Sequence, residues 1–261
     1  MTIHIYYRHT PTSRSSNKWR PEWFTHERCF LNLLETTHKS MMRGDVSLHV
    51  LFDGSEADLA DDFTTPVLAR AIEQFPGMAG AVSVQRISGG DQRKAWRACV
   101  DVITADLATT IQPHDIIYVL ENDYLHVDGW PDEIRELATS GISWDYLSLY
   151  DHPDKYPNLC AHGDAKRYAT LKSQVFSTSR RHWRTAPSTC GTYMLSRETF
   201  ERDIRLLRLG IFDFKFFKIL TKIKRRKLVT PMPALSTHCM TEFLSPVIDW
   251  ESVAVDRRFI R

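Results

Sequence analysis

Residues 115–123, Asp-Ile-Ile-Tyr-Val-Leu-Glu-Asn-Asp, constrain the fold more than any other segment. The apolar run 116–120 has no polar face, so it reads as a strand covered on both sides, as strands of a parallel sheet are. Four further β-branched or aromatic runs, at 3–7, 46–52, 81–87 and 144–150, are also predicted as strands. Helical patterns stand between them. One opens at Pro21, with Trp23, Phe24, Phe30, Leu33 and Leu34 near helical spacing; others cover 65–75 and 92–108. Alternating strands and helices over the first 150 residues predict an α/β fold. It should have a mainly parallel central sheet, right-handed crossovers and helices on both faces.

With 261 residues, 43% hydrophobic and 25% charged, the chain can bury a sizeable core. No linker or internal repeat divides it, so a single domain is expected over 1–261. A formal charge of +2 argues against nucleic-acid binding by bulk electrostatics. Five cysteines, an odd number without CxxC spacing, point away from a disulfide framework and toward a reducing, cytoplasmic setting. The start, MTIHIYYRHT, lacks the pattern of a signal peptide, and no run approaches the ~18 apolar residues of a membrane span. Residues 151–187 read as an irregular segment over the site. Predicted elements then follow at 192–196 (strand), 198–207 (helix) and 212–226 (helix).

Ligands of open parallel sheets bind outside the carboxyl ends of the strands. Four predicted strands end in polar or small residues: Tyr7-Arg8-His9, Asp53-Gly54-Ser55, Ser88-Gly89-Gly90-Asp91 and Glu121-Asn122-Asp123. In an extended chain Glu121 and Asp123 would point to the same side. Two carboxylates that close repel unless a cation joins them, and Mg²⁺ or Mn²⁺ suits such a pair. A solvated acidic turn is the alternative.

This order of features resembles a glycosyltransferase of the GT-A fold, a Rossmann-like architecture, and is nearest to the family 2 type. Leu51-Phe52-Asp53-Gly54-Ser55 is similar to the strand end whose aspartate contacts the nucleotide base. Gly89-Gly90-Asp91-Gln92-Arg93 stands where a glycine-containing turn opens a helix near the nucleotide, and Glu121-Asn122-Asp123 stands where the family carries its metal-binding DxD, with Glu as the first acid. The resemblance implies a donor such as a UDP- or GDP-sugar, transfer to a glycan or lipid-linked acceptor, and inversion at the anomeric carbon. Residues 1–150 would bind the donor and 151–261 the acceptor.

By the same resemblance Tyr7, Arg8, Asp53, Gly90, Arg93 and Asn122 would meet the nucleotide. Glu121, Asp123 and His238, the last carried by Val-Thr-Pro-Met-Pro-Ala-Leu-Ser-Thr-His at 229–238, would hold the metal. Cys190 to Arg197 is similar to the strand before the acceptor-site helix. The catalytic base would be Asp213, with Asp151 and Glu242 as the other candidates. The alternative reading of Asp213 is a helix N-terminal acid that interacts with the dipole, and that of His238 a loop histidine.

Two basic clusters remain. Arg180, Arg181, His182 and Arg184 could close over an anion or be a solvated loop. The helix at 212–226, with Lys224-Arg225-Arg226-Lys227 at its end, could lie on an anionic membrane or be a core face with a basic back. A nucleotidyltransferase would share this core, but the loop after the first strand, with Arg14 and Lys18, lacks glycine. A non-catalytic binding module on a decayed scaffold is the other alternative. Cys160-Ala161-His162 has too few partners for zinc, and no dinucleotide, P-loop or nucleophile-elbow motif occurs.

Overall fold

A computed structural model of the chain describes residues 1–11, 19–159, 168–210 and 213–255. Arg14, Lys18, Cys160-Ala161-His162 and Phe212 lie outside the described residues. The first part runs β1 (Ile3–His9), α1 (His26–Met42), β2 (Val46–Asp53), α2 (Glu56–Asp61), α3 (Thr64–Gln74), β3 (Val82–Ile87), α4 (Gln92–Asp106), β4 (Ile116–Glu121), β5 (Tyr124–His126) and α5 (Trp130–Thr139). The second part adds β6 (Tyr146–Leu147), β7 (Val175–Ser177), β8 (His182–Thr185), β9 (Tyr193–Ser196), α6 (Arg197–Leu207), α7 (Asp213–Lys218), β10 (Leu228–Met232), β11 (Ser236–His238) and α8 (Trp250–Val255).

Among the described residues the main sheet has nine strands in the order β3-β2-β1-β4-β9-β6-β10-β8-β7. β3, β2, β1 and β4 are parallel, as predicted, and so are β6 and β10. The antiparallel members are β9, which separates β4 from β6, and β8, which separates β10 from β7. A second, two-stranded ribbon pairs β11 with β5. The segment 151–187 is less irregular than expected, because β7 and β8 within it extend the sheet. The fifth predicted strand shrinks to Tyr146–Leu147.

Side-chain alternation along the strands sorts residues between two layers. Ile3, Ile5 and Tyr7 of β1 and Ile116, Tyr118 and Leu120 of β4 pack into the core beneath α1, α3 and α5. Tyr6, Ile117 and Val119 pack into the opposite core, with residues of α4, α6 and α7. Arg8 and Glu121 continue the second series, so both emerge on the α4/α6/α7 face at the carboxyl end of the sheet.

Local signals set the helix starts. α1 begins at His26 rather than at Pro21, because Thr25 accepts a hydrogen bond from the Arg28 amide at 2.9 Å and caps it. α4 begins after Asp91, whose carboxylate accepts from the Arg93 and Lys94 amides, both at 2.9 Å. The helix predicted over 212–226 is α7 followed by a π-helical turn over Ile219–Ile223. Its buried face is Phe216, Phe217 and Leu220, whereas Ile223, expected on that face, is 71% exposed. The apolar side of this helix is therefore spent on the core. No helix among the described residues is long and apolar enough to cross a membrane.

Candidate functional site

A cavity of about 460 Å³ opens where β1 and β4 end. Its wall includes Arg8 and Glu121 from those strands, Arg93 and Trp96 from α4, Tyr193 from β9 and Asp213 from α7. Arg8 and Glu121 are register partners on adjacent strands, and their side chains form an ion pair of 3.1 Å. The Arg8 guanidinium also lies 5.2 Å from the centre of the Trp96 ring. The Glu121 amide donates to the Thr192 hydroxyl at 3.1 Å. A Cβ on Gly191 would come 3.0 Å from a Glu121 oxygen, so the glycine lets the β9 approach lie against this carboxylate. Burial pushes the Asp213 carboxyl up to about 6, the negative charge of Glu121 adds to the shift, and Arg8 opposes it.

The turn over 88–91 is built on Asp53. Its Oδ1 accepts from the Gly89 amide at 2.7 Å and from the Gly90 amide at 3.2 Å. A Cβ on Gly89 would fall 2.5 Å from Asp53 Oδ2 and 2.7 Å from Ala95 Cα, so only glycine fits between strand end and helix. Gly90 follows at φ +71, a conformation that L side chains rarely adopt. Asp53 thus acts first on its own chain, shaping the turn from which Arg93 reaches the cavity. The Arg93 stem lies against Gly210, where a Cβ would come 2.9 Å from Cγ.

Other expected site residues sit elsewhere. Tyr7 is 1% exposed in the core and does not face the cavity; strand alternation turns it away from Arg8. Asn122 is buried, its side-chain amide 2.9 Å from His9 Nδ1, while His9 Nε2 contacts Asp62 at 2.9 Å. It ties the β4 turn to β1. Asp151 is 2% exposed and accepts from Arg184 at 2.6 Å and from the Tyr156 hydroxyl at 2.5 Å, which leaves it poorly placed as a base. Arg181 is bidentate to Glu133, at 2.5 and 2.6 Å, so two arginines of the 180–184 cluster are held by internal acids. Glu242 lies in a one-turn 3₁₀ helix, Thr241–Phe243.

The expected metal ligands divide into two groups. β4 ends at Glu121, and Asn122-Asp123 form a turn, so the two carboxylates do not share a side. Glu121 turns to Arg8. Asp123, 4% exposed, turns to the β5–β11 ribbon, where His238 Nε2 lies 3.0 Å from its Oδ2. His238 is also stacked on Tyr124, with ring centroids 5.1 Å apart and planes at 7°. The same Asp123 oxygen accepts from Arg20 Nη2 at 2.8 Å. Among the described residues no group of three His, Cys, Asp or Glu side chains is gathered to hold a metal ion. Each acid of the expected motif is matched by an arginine, and this donor set does not fit a shared divalent cation.

Trp96, Tyr193, Gly191 and Phe216 are cavity residues that sequence reasoning missed. Trp96 was within reach, since three residues beyond Arg93 is the same helix face.

No protein-family model matches the sequence, and no curated protein matches it. Solved structures do. A protein from Bacillus anthracis named as a glucose-1-phosphate thymidylyltransferase, solved with sucrose, superposes with a TM-score of 0.50 at 11% identity, over 100% of this chain and 98% of that one. A UDP-glucose pyrophosphorylase complexed with UDP-glucose gives 0.47 at 8% identity, over 92% and 94%. A mannosyltransferase from Pyrobaculum calidifontis, in complex with GDP-Man and Mn²⁺, gives 0.44 at 14% identity, over 88% of this chain and 54% of that one. At such identities the likeness is one of fold. The chain shares the α/β fold of the first of these, a large, mostly parallel sheet flanked by helices.

Proposed function

We propose that this chain is a glycosyltransferase that uses a nucleoside-diphosphate sugar. The observation that carries the reading is the cavity at the ends of β1 and β4. There two arginines, Arg8 and Arg93, meet two carboxylates, Glu121 and Asp213, beside the rings of Trp96, Tyr193 and Phe216. Guanidinium groups suit phosphate oxygens. Carboxylates and aromatic faces suit the hydroxyls and apolar faces of a sugar ring. The nucleoside end would lie along the ends of β1, β2 and β3, beside the turn held by Asp53 and Gly90.

In this reading Arg8 and Arg93 orient the donor, and Glu121 holds sugar hydroxyls. Asp213 takes the proton of the acceptor hydroxyl as its oxygen attacks the anomeric carbon. The nucleoside diphosphate departs with the bonding electrons, and the new bond forms with inversion. A carboxyl held near neutrality by burial is a suitable base. A glycan or lipid-linked acceptor would enter on the side formed by residues beyond 150.

The test is turnover of a panel of UDP- and GDP-sugars with glycan and lipid-linked acceptors, with released nucleoside diphosphate and pyrophosphate both followed. Release of nucleoside diphosphate that disappears in Asp213→Asn supports the reading. Pyrophosphate release from a nucleoside triphosphate and a sugar phosphate would make the chain a nucleotidyltransferase instead. If no donor binds or turns over, the cavity has been misread.

A further inference from the structure

The helix that carries Asp213 to the cavity has a second side. Phe216, Phe217 and Leu220 fill its inner face, and Phe216 also lines the cavity. Lys215, Lys218, Lys222, Lys224 and Arg225 stand on the outside, all exposed. No acid follows Asp213 in the sequence until Glu242, so the segment carries nothing of its own to neutralise them. The next two cations are occupied: Arg226 pairs with Asp203 at 2.7 Å, and Lys227 lies 4.0 Å from the centre of the Phe176 ring. The five exposed ones have no ion pair with any described residue. Like charges three and four residues apart on a helix repel, so the cluster costs stability unless something outside the chain compensates it.

Apolar side chains protrude from the same patch. The Lys224 amide donates to the Ile219 carbonyl at 2.9 Å and closes the π-helical turn. The wider turn carries Ile223 out of the buried series, to stand 71% exposed between Lys222 and Lys224. Leu209 and Phe214 are 53% and 42% exposed and adjoin Gly210 and Asp213, which line the cavity. Arg225 sits at φ +54, where glycine is the favoured residue and an arginine is kept instead. Charge alone would suit any polyanion. Cations with apolar tips among them suit the boundary between headgroups and acyl chains, where lysines meet phosphates and the tips leave water. A nucleic acid offers phosphates without that apolar layer.

We infer that the outer side of α7 and its π-helical turn docks the chain on an anionic lipid bilayer, and that the acceptor taken by the cavity is lipid-linked. The second half of this inference rests on the proposed function. Asp213 and Lys215 ride on one short helix, so docking its outer side sets the cavity wall beside the bilayer. A hydroxyl carried on a lipid headgroup then lies on the side from which Asp213 works.

The full chain is sedimented with vesicles of phosphatidylcholine alone and of phosphatidylcholine with about one-third phosphatidylglycerol. It should bind the anionic vesicles and not the neutral ones, and binding should weaken as salt rises. Lys215→Gln, Lys218→Gln and Lys222→Gln together, checked for a native melting curve, should bind about a hundredfold more weakly, about fivefold for each charge. Ile223→Ser should lose about fivefold in a part of the binding that salt does not touch. Lys39→Gln, on α1 in the other helical layer, should bind as the unaltered chain does. With a donor sugar, the triple variant should keep turnover of a water-soluble acceptor and lose turnover of the same acceptor on an acyl chain in anionic vesicles. Failure to bind anionic vesicles, or binding that the triple variant keeps, would overturn the inference. So would equally tight binding to a DNA duplex, which would make the surface a general polyanion site. If vesicles bind and no donor is turned over with either acceptor, the proposed function falls, and the lipid-linked acceptor with it, while the docking surface stands. If the soluble acceptor is used and vesicles are ignored, the docking surface falls and the proposed function stands.

Discussion

Arg8 and Glu121 stand side by side at the carboxyl ends of β1 and β4, in register and joined by an ion pair of 3.1 Å. The Cβ of Gly191 would come within 3.0 Å of the same carboxylate. Replacing Glu121 with Gln keeps the shape and removes the charge, leaving a mostly buried guanidinium with a weaker partner. Unfolding in urea should show a loss of about 1–3 kcal/mol. Donor turnover should fall by about a hundredfold, the scale of losing one arranged polar group in a closed site.

Asp213 should leave its mark on the pH profile. Its carboxyl is pushed up to about 6, so turnover should climb as pH rises through that value and then level off. Asp213→Asn should lose about two to four orders of magnitude in turnover and lack that limb. Its effect on stability has the opposite sign. The folded-state value lies above the ordinary 3.8, so the folded chain binds more protons between those two values. The penalty grows as pH rises through that window and persists at neutrality. Asp213→Asn should therefore be more stable at pH 7, by up to about 3 kcal/mol, and lose the advantage in acid. Paired denaturation curves at two pH values measure it.

Gly89 offers a purely steric test. An added Cβ meets Asp53 Oδ2 at 2.5 Å and the Ala95 backbone at 2.7 Å, so Gly89→Ala must move the turn or the start of α4. A loss of about 1–3 kcal/mol is expected, with weakened nucleotide binding because Arg93 is carried by that helix. Gly80→Ala, where nothing lies within 4 Å of the new Cβ, is the control and should leave nucleotide binding alone.

His126 predicts an acid-labile core. It is wholly buried, its Nε2 is 2.8 Å from the Tyr118 hydroxyl, and burial pushes its value down from 6.5 to about 3. A depressed histidine value means that the unfolded chain takes up the proton first. Its contribution is complete above about 6.5 and is lost as pH falls toward 3. The slope from this group is about 1.4 kcal/mol per pH unit. Measured in the Asp213→Asn chain, where the opposing carboxyl is absent, stability from pH 7 down to pH 5 should fall accordingly. A flat profile there would contradict a neutral, buried His126.

The parallel core was legible because apolar runs and helical spacing are local properties. The five apolar residues at 116–120 carry their own signal, and β4 lies where they place it. Asp213 was found through resemblance, and the folded chain brings it to the same cavity as Glu121. What failed was geometry that depends on where a strand stops. Glu121 and Asp123 share a side only if the chain stays extended to 123, and it turns one residue after Glu121. Tyr7 was grouped with Arg8 although alternation sends neighbours to opposite layers. Short strands such as β6 and β7, of two and three residues, carry no usable period. The arginines at 181 and 184 read as free charge because their partners, Glu133 and Asp151, are 48 and 33 residues away.

The antiparallel insertion of β9 has a consequence for how the chain is made. β4 pairs with β1 on one side and with β9 on the other, yet β9 begins more than seventy residues after β4 ends. During synthesis the ribosome therefore releases a parallel half-sheet whose most apolar strand has an open flank. Unpaired edges of that kind recruit other chains. Truncation near residue 150 should accordingly yield an aggregating fragment rather than a soluble nucleotide-binding half, and growth of the nascent chain through 193–196 should be the step at which it becomes safe from its neighbours.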